Sequence, residues 1–146
     1  MVTDRLEPGP RYRRREILQV PGSASAARHT KPFALAEDVS IRIPDVTAAL
    51  SLKEAACETA SADPVRHVQD GVLLLACAGV HGARTPSKSE RQNINRLVSR
   101  LSTVEGWSMA SHDVRRLAVL GLIEHYRPEW TPPSFVVAVR PSPCKA

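Results

Sequence analysis

The stretch Ser108–Ile123, SMASHDVRRLAVLGLI, together with Phe135–Val139, FVVAV, decides how this chain is read. Val114, Leu117 and Leu120 recur at steps of three, the spacing that places side chains on one face of a helix. Ser108 or Ser111 supplies the N-cap, an oxygen that accepts from a free backbone N–H of the first turn. Gly121 is expected to end this helix, 110–120, because glycine tolerates the left-handed conformation of a helix C-terminus. Leu122–Ile123 then opens a new apolar run. Leu122–Tyr126 and Phe135–Val139 are expected to pair as a hairpin, with Arg127–Ser134 as its tip.

Upstream, Ser87–Glu90 is a Ser-x-x-Glu capping box in front of an apolar-periodic run. Ile94, Leu97, Val98, Leu101 and Val104 mark the buried stripe of a helix over 89–105, with Arg91, Arg96 and Arg100 on the other side. Gly106 ends it. Asp63-Pro64 starts the helix before, with Asp as N-cap and Pro at the first helical position. Val65, Val68, Val72, Leu75, Ala76 and Gly79 repeat at three and four, and Leu73, Leu74 and Cys77 widen the apolar face. That helix belongs at the centre of the core, and Gly79 and Gly82 end it.

Asp45 is placed to cap a helix over Val46–Ala60. Its expected stripe is Val46, Ala49, Leu50, Cys57 and Ala60, with Lys53, Glu54 and Glu58 outside. Phe33, Leu35, Val39, Ile41 and Ile43 alternate as on one face of a strand, interrupted at Glu37-Asp38. Residues 1–31 read as a basic arm: five arginines, Arg5, Arg11, Arg13, Arg14 and Arg15, precede a Pro-Gly-Ser-Ala linker. The reading gives four parts: arm 1–31, strand–helix extension 32–61, helical domain 62–141 and tail 142–146. The fold class is mainly α with a small β-hairpin, α+β.

From Ala62 onward the order is helix, helix, turn, helix, strand, loop, strand. This order resembles the winged helix-turn-helix family, over a little more than half of the chain. Its most specific part is Asp113–Ile123, where the apolar triplet runs into Gly-Leu-Ile. Two features depart from the pattern: the helix over 89–105 is long, and the turn Glu105-Gly-Trp-Ser108 is not the common one. The resemblance implies that helix 110–120 enters the major groove of duplex DNA while a wing, 123–139, rests on the backbone. Ser111, His112, Arg115 and Arg116 would then face DNA, with Arg127 at the wing base and Arg91 on the preceding helix as phosphate contacts. A transcriptional regulator, working as a homodimer, is the function so implied. The alternative is a non-catalytic winged-helix adaptor that joins a larger protein assembly, since fold alone does not fix function. For the adaptor, Trp130 in the wing tip is the expected partner contact, while Trp107 is expected to plug the core.

Composition bounds these readings. The chain has 146 residues, 42% of them hydrophobic but only 4% aromatic, so the core must rest on Leu, Val, Ile and Ala. Net charge is +5, unevenly spread: 1–31 and 84–146 are basic, and 32–83 is acidic. Basic flanks suit contact with a polyanion. Cys57, Cys77 and Cys144 have no metal-type spacing, and Cys57 and Cys77 are expected to be buried reduced thiols, as in the cytoplasm. Cys77 and His81 alone do not make a zinc site. The longest apolar run, Val72–Val80, falls short of the ~20 residues of a membrane span, and no hydrophobic region follows the N-terminal arginines as in a secretory signal. No nucleophile elbow, Walker loop or dinucleotide fingerprint occurs. The expectation is therefore no enzyme, no cofactor and no metal.

Overall fold

The computed structural model describes residues 23–59 and 62–137. Residues 1–22 of the expected arm 1–31 and the tail 142–146 lie outside them, while 23–31, expected to be arm and linker, form a short helix and the start of a strand. The described chain is mainly helical with one two-stranded antiparallel hairpin. A short helix α1 (Ser23–Arg28) leads into β1 (Thr30–Ala34) and β2 (Ser40–Pro44), followed by α2 (Val46–Glu58), α3 (Pro64–His81) and α4 (Lys88–Arg100). A 3-10 turn (Glu105–Trp107), α5 (His112–His125) and a short α6 (Ser134–Val137) complete it.

The helix starts follow local chemistry. Asp45 caps α2 by accepting from Ala48 N at 2.8 Å, and Asp63 caps α3 by accepting from Arg66 N at 3.0 Å. Ser87 and Glu90 form both bonds of the capping box on α4, and Ser111 caps α5. Each cap satisfies N–H groups that have no partner within the helix. Only Gly82 ends α3, at φ 74°, a backbone conformation that favours glycine.

Gly79 lies inside α3 and Gly121 inside α5, and neither ends its helix. The reason is the crossing of these helices. A Cβ on Gly121 would overlap the Leu75 carbonyl oxygen and sit 2.6 Å from Gly79 N, while a Cβ on Gly79 would overlap the Leu117 carbonyl oxygen. The two glycines let the backbones of α3 and α5 touch. Each costs about 1 kcal/mol in helix propensity, and the close packing around the crossing offsets it.

Because α5 runs on to His125, the expected first wing strand is helix. Its would-be partner is also changed: Phe135–Val137 belongs to α6, and 138–139 lie outside the described residues. Among the described residues the one hairpin is N-terminal instead. There Glu37-Asp38 forms the turn rather than interrupting a single strand, and Phe33 pairs with Ile41.

Three further expectations are corrected. The helix over 89–105 stops at Arg100, where the Ser99, Ser102 and Thr103 hydroxyls each bond a preceding carbonyl and compete with the helical ladder. Val104 is consequently exposed, as is Val65 on the first turn of α3. On α2 the buried face is rotated, so that Glu54 is fully buried and bonded by Arg100 through three contacts of 2.9–3.1 Å. Cys77 is exposed and Cys57 half-buried, rather than both being core thiols. Cys144 lies outside the described residues.

The core gathers around α3, with Leu50 of α2, Leu75 of α3, Ile94 and Leu97 of α4, Trp107 of the 3-10 turn and Leu122 of α5 all fully buried. Trp107 donates from Nε1 to the Leu101 carbonyl at 2.9 Å, which satisfies its one polar group inside the core. A polar knot binds the ends of three helices. Arg84, in the α3–α4 connection, donates to Asp45 at 2.7 Å and to both Glu90 oxygens at 2.6 and 2.9 Å. Thr47 donates to the Arg84 carbonyl at 3.0 Å and lies 3.0 Å from the Tyr126 hydroxyl. Burial pushes the Tyr126 phenol up, and the Arg84 guanidinium holds buried Glu90 down to about 2.

Candidate functional site

The side chains expected to meet DNA separate into two groups. Arg115 turns inward along its helix. Its guanidinium donates to the Ala110 and Trp107 carbonyls at 3.0 and 3.1 Å and reaches the Phe135 carbonyl at 3.5 Å. It closes the turn before α5 and ties α6 to it. Arg127 is likewise engaged, bonded to Glu129 and, at 3.3 Å, to Asn95. The Ser111 hydroxyl accepts from Val114 N as the cap of α5. His112, Arg116 and Arg91 remain exposed.

Sequence spacing placed Arg115 and Arg116 together because both fall off the Val114–Leu117–Leu120 stripe. One residue is 100° of helical turn, enough to send the first under the turn and leave the second outside. Two further helix arginines are paired: Arg96 with Glu58 at 3.0 Å and Arg100 with Glu54 at 2.9 Å, which clips α4 to α2.

The outer face of α5 carries His112, Arg116, Val119, Leu120 and Ile123, spaced at three and four along the helix. Beside it, α6 contributes Val136 and Val137. Together with Arg115 they line an open trough of about 500 Å³. Its exposed members include Leu120 at 42% and Val137 at 57%. The trough is basic at the N-terminal end of α5, where His112 and Arg116 stand, and apolar over the rest of its length. Leu120 was expected in the core. Gly121 faces α3 at the crossing, and Leu120, one step of about 100° back along the helix, points out.

Trp130, the expected partner contact, is partly buried and stacks on Trp107 with ring centroids 6.4 Å apart. It extends the core instead of presenting a free anchor. A second exposed apolar surface lies at the other end of the sequence, on the hairpin: Phe33, Leu35, Val39, Ile41 and Ile43 are 39–58% exposed. The alternation of these residues was visible in sequence, but whether anything covered them was not.

A larger groove, about 830 Å³, runs between the hairpin and α2 and reaches Ala26, Leu52 and Ala56. Its two cations are occupied, Lys53 by Asp70 at 2.7 Å and Arg42 by Thr30 at 2.7 Å. Among the described residues, no group of three or more His, Cys, Asp or Glu side chains stands close enough to hold a metal. No described helix is long and apolar enough to cross a membrane. Comparison with protein-family models, curated proteins and solved structures returns no match.

Proposed function

We propose that this protein is a non-catalytic interaction module that docks another protein along the outer face of α5. The observation that carries the reading is the composition of that face. Where a major-groove helix needs hydrogen-bonding side chains for base edges, α5 offers Val119, Leu120 and Ile123 beside Val137, and its Arg115 is bound to three carbonyl groups.

On this reading α3, α4 and α5 form a helix-turn-helix-like body whose third helix presents an apolar trough. The partner it fits is an amphipathic segment, laid in the trough with apolar side chains over Leu120 and Ile123. An acidic residue of that segment would sit against Arg116 and His112. Exposed apolar area marks such a contact, and the charged end sets its direction. Of the basic side chains expected at a DNA interface, Arg116, His112 and Arg91 stand exposed, whereas Arg115 and Arg127 are engaged within the protein.

The test is capture of proteins from an extract of the source organism by the immobilised chain, washed at high salt. Wild type retains a partner, and Leu120→Lys or Val137→Lys loses it while keeping the wild-type circular dichroism spectrum. Equal capture by all three, or recovery of nucleic acid alone, contradicts the proposal.

A further inference from the structure

The hairpin is separate from the α5 trough and carries its own inference. Its register pairs Lys31 with Ile43 and Phe33 with Ile41, and Leu35 N donates to the Val39 carbonyl at 2.8 Å. Side chains alternate across a strand. One face therefore holds Lys31, Phe33, Leu35, Val39, Ile41 and Ile43. The opposite face holds Thr30, Pro32, Ala34, Ser40, Arg42 and Pro44. Thr30, Arg42 and Pro44 line the groove against α2, so the polar face is the one turned to the helices. The apolar face points away from them. An isolated two-stranded hairpin is marginal in water, and one with a bare apolar face on its outer side needs cover.

The β1 edge does not offer a route to that cover. Bonds from Leu35 to Val39 and from Asp45 to His29 set the alternation, so that residues 30, 32 and 34 turn their backbone groups outward. Pro32 stands at the middle of that outer edge and has no N–H to give. Such a proline blocks addition of a further strand along β1. The apolar side chains themselves can be covered only through the face.

Charge selects the occupant. Lys31 stands at the base of the apolar face, and Glu37 and Asp38 stand at its tip. Two such faces laid together in antiparallel sense about a two-fold axis bring each Lys31 to the other copy's turn. Phe33 and Ile41 then meet their counterparts at the centre. A parallel arrangement would instead set like charges together. A surface that is complementary to itself under a two-fold operation fits an isologous dimer.

We propose that this face is closed by a second copy of the same chain, with two hairpins packed face to face and antiparallel. The five half-exposed apolar side chains offer on the order of 400 Å² per copy, against about 800 Å² per partner in a stable interface. The dimer is therefore expected to dissociate on dilution.

Sedimentation velocity of the full chain over a concentration series tests this. The expected mass rises from 16.0 kDa toward twice that value as concentration increases. Ile41→Lys, at an exposed position, holds the chain monomeric. Lys31→Glu weakens the dimer by roughly tenfold, and adding Glu37→Lys and Asp38→Lys to the same chain restores it. A monomer at every concentration overturns the proposal. So does a dimer indifferent to Ile41→Lys, or one whose charge-reversed chains fail to regain affinity. None of these outcomes bears on the α5 trough, which Leu120→Lys tests by itself.

Discussion

Arg115 and Arg116 are neighbours with opposite duties. Arg115 donates to three backbone carbonyls around the start of α5, whereas Arg116 is exposed. Arg115→Ala should cost about 2 kcal/mol in urea unfolding, because the Ala110 and Trp107 carbonyls lose a charged donor. Arg116→Ala should stay within about 0.5 kcal/mol of wild type. Equal, small effects of both would mean that Arg115 is free. Gly121 offers a second comparison. As a helix end it would accept alanine for about 1 kcal/mol, which is the cost expected at Gly82, where φ is 74° and the space is open. At the α3–α5 crossing the added methyl meets backbone, so Gly121→Ala should cost about 3 kcal/mol or more and lower the thermal midpoint accordingly. Neither role was legible in the sequence. Leu-Gly-Leu reads the same whether the glycine stops a helix or admits another helix, and only the position of Gly79, 42 residues away, decides between them.

Elements were legible where their signals are local. Asp45, Asp63-Pro64, Ser87–Glu90 and Ser111 mark helix starts within four residues of sequence, and all four caps form. Ends were harder to place, since α4 stops on hydroxyl groups rather than on a glycine. The burial of Glu54 depends on Arg100 in another helix, so period alone put it outside. The capping box of α4 also carries a pH dependence. Arg84 lowers the folded value of Glu90 to about 2 from 4.5. A depressed carboxylate stabilises the fold above its unfolded value and loses that contribution as pH falls toward the folded one. Stability should therefore drop between about pH 4.5 and 2, by up to ~3 kcal/mol from this group. Glu90→Gln should be destabilised at neutral pH and should show a shallower fall over the same window. An unchanged slope in urea midpoints against pH would contradict the role given to the Arg84–Glu90 pair.

At the scale of the whole molecule, the helical class and the central place of α3 follow from the apolar periodicity around Leu75 and the caps on either side. What covers each outer face was beyond the reach of pattern. The alternation of Phe33 to Ile43 and the spacing of Leu120 and Ile123 both look like core, and both stand partly in water because no described element covers them. On the two proposals, the α5 face meets a partner and the hairpin face meets a second copy. The central claim is that α5 docks protein and not DNA, and Leu120→Lys separates the two because it adds a cation to the face in question. The measurement is titration of wild type and Leu120→Lys with short duplex DNA at low salt, beside partner capture. Wild type is expected to show no specific duplex binding, and the variant is expected to lose the partner. Saturable binding of wild type to duplex that falls steeply with salt and tightens in Leu120→Lys would contradict the claim.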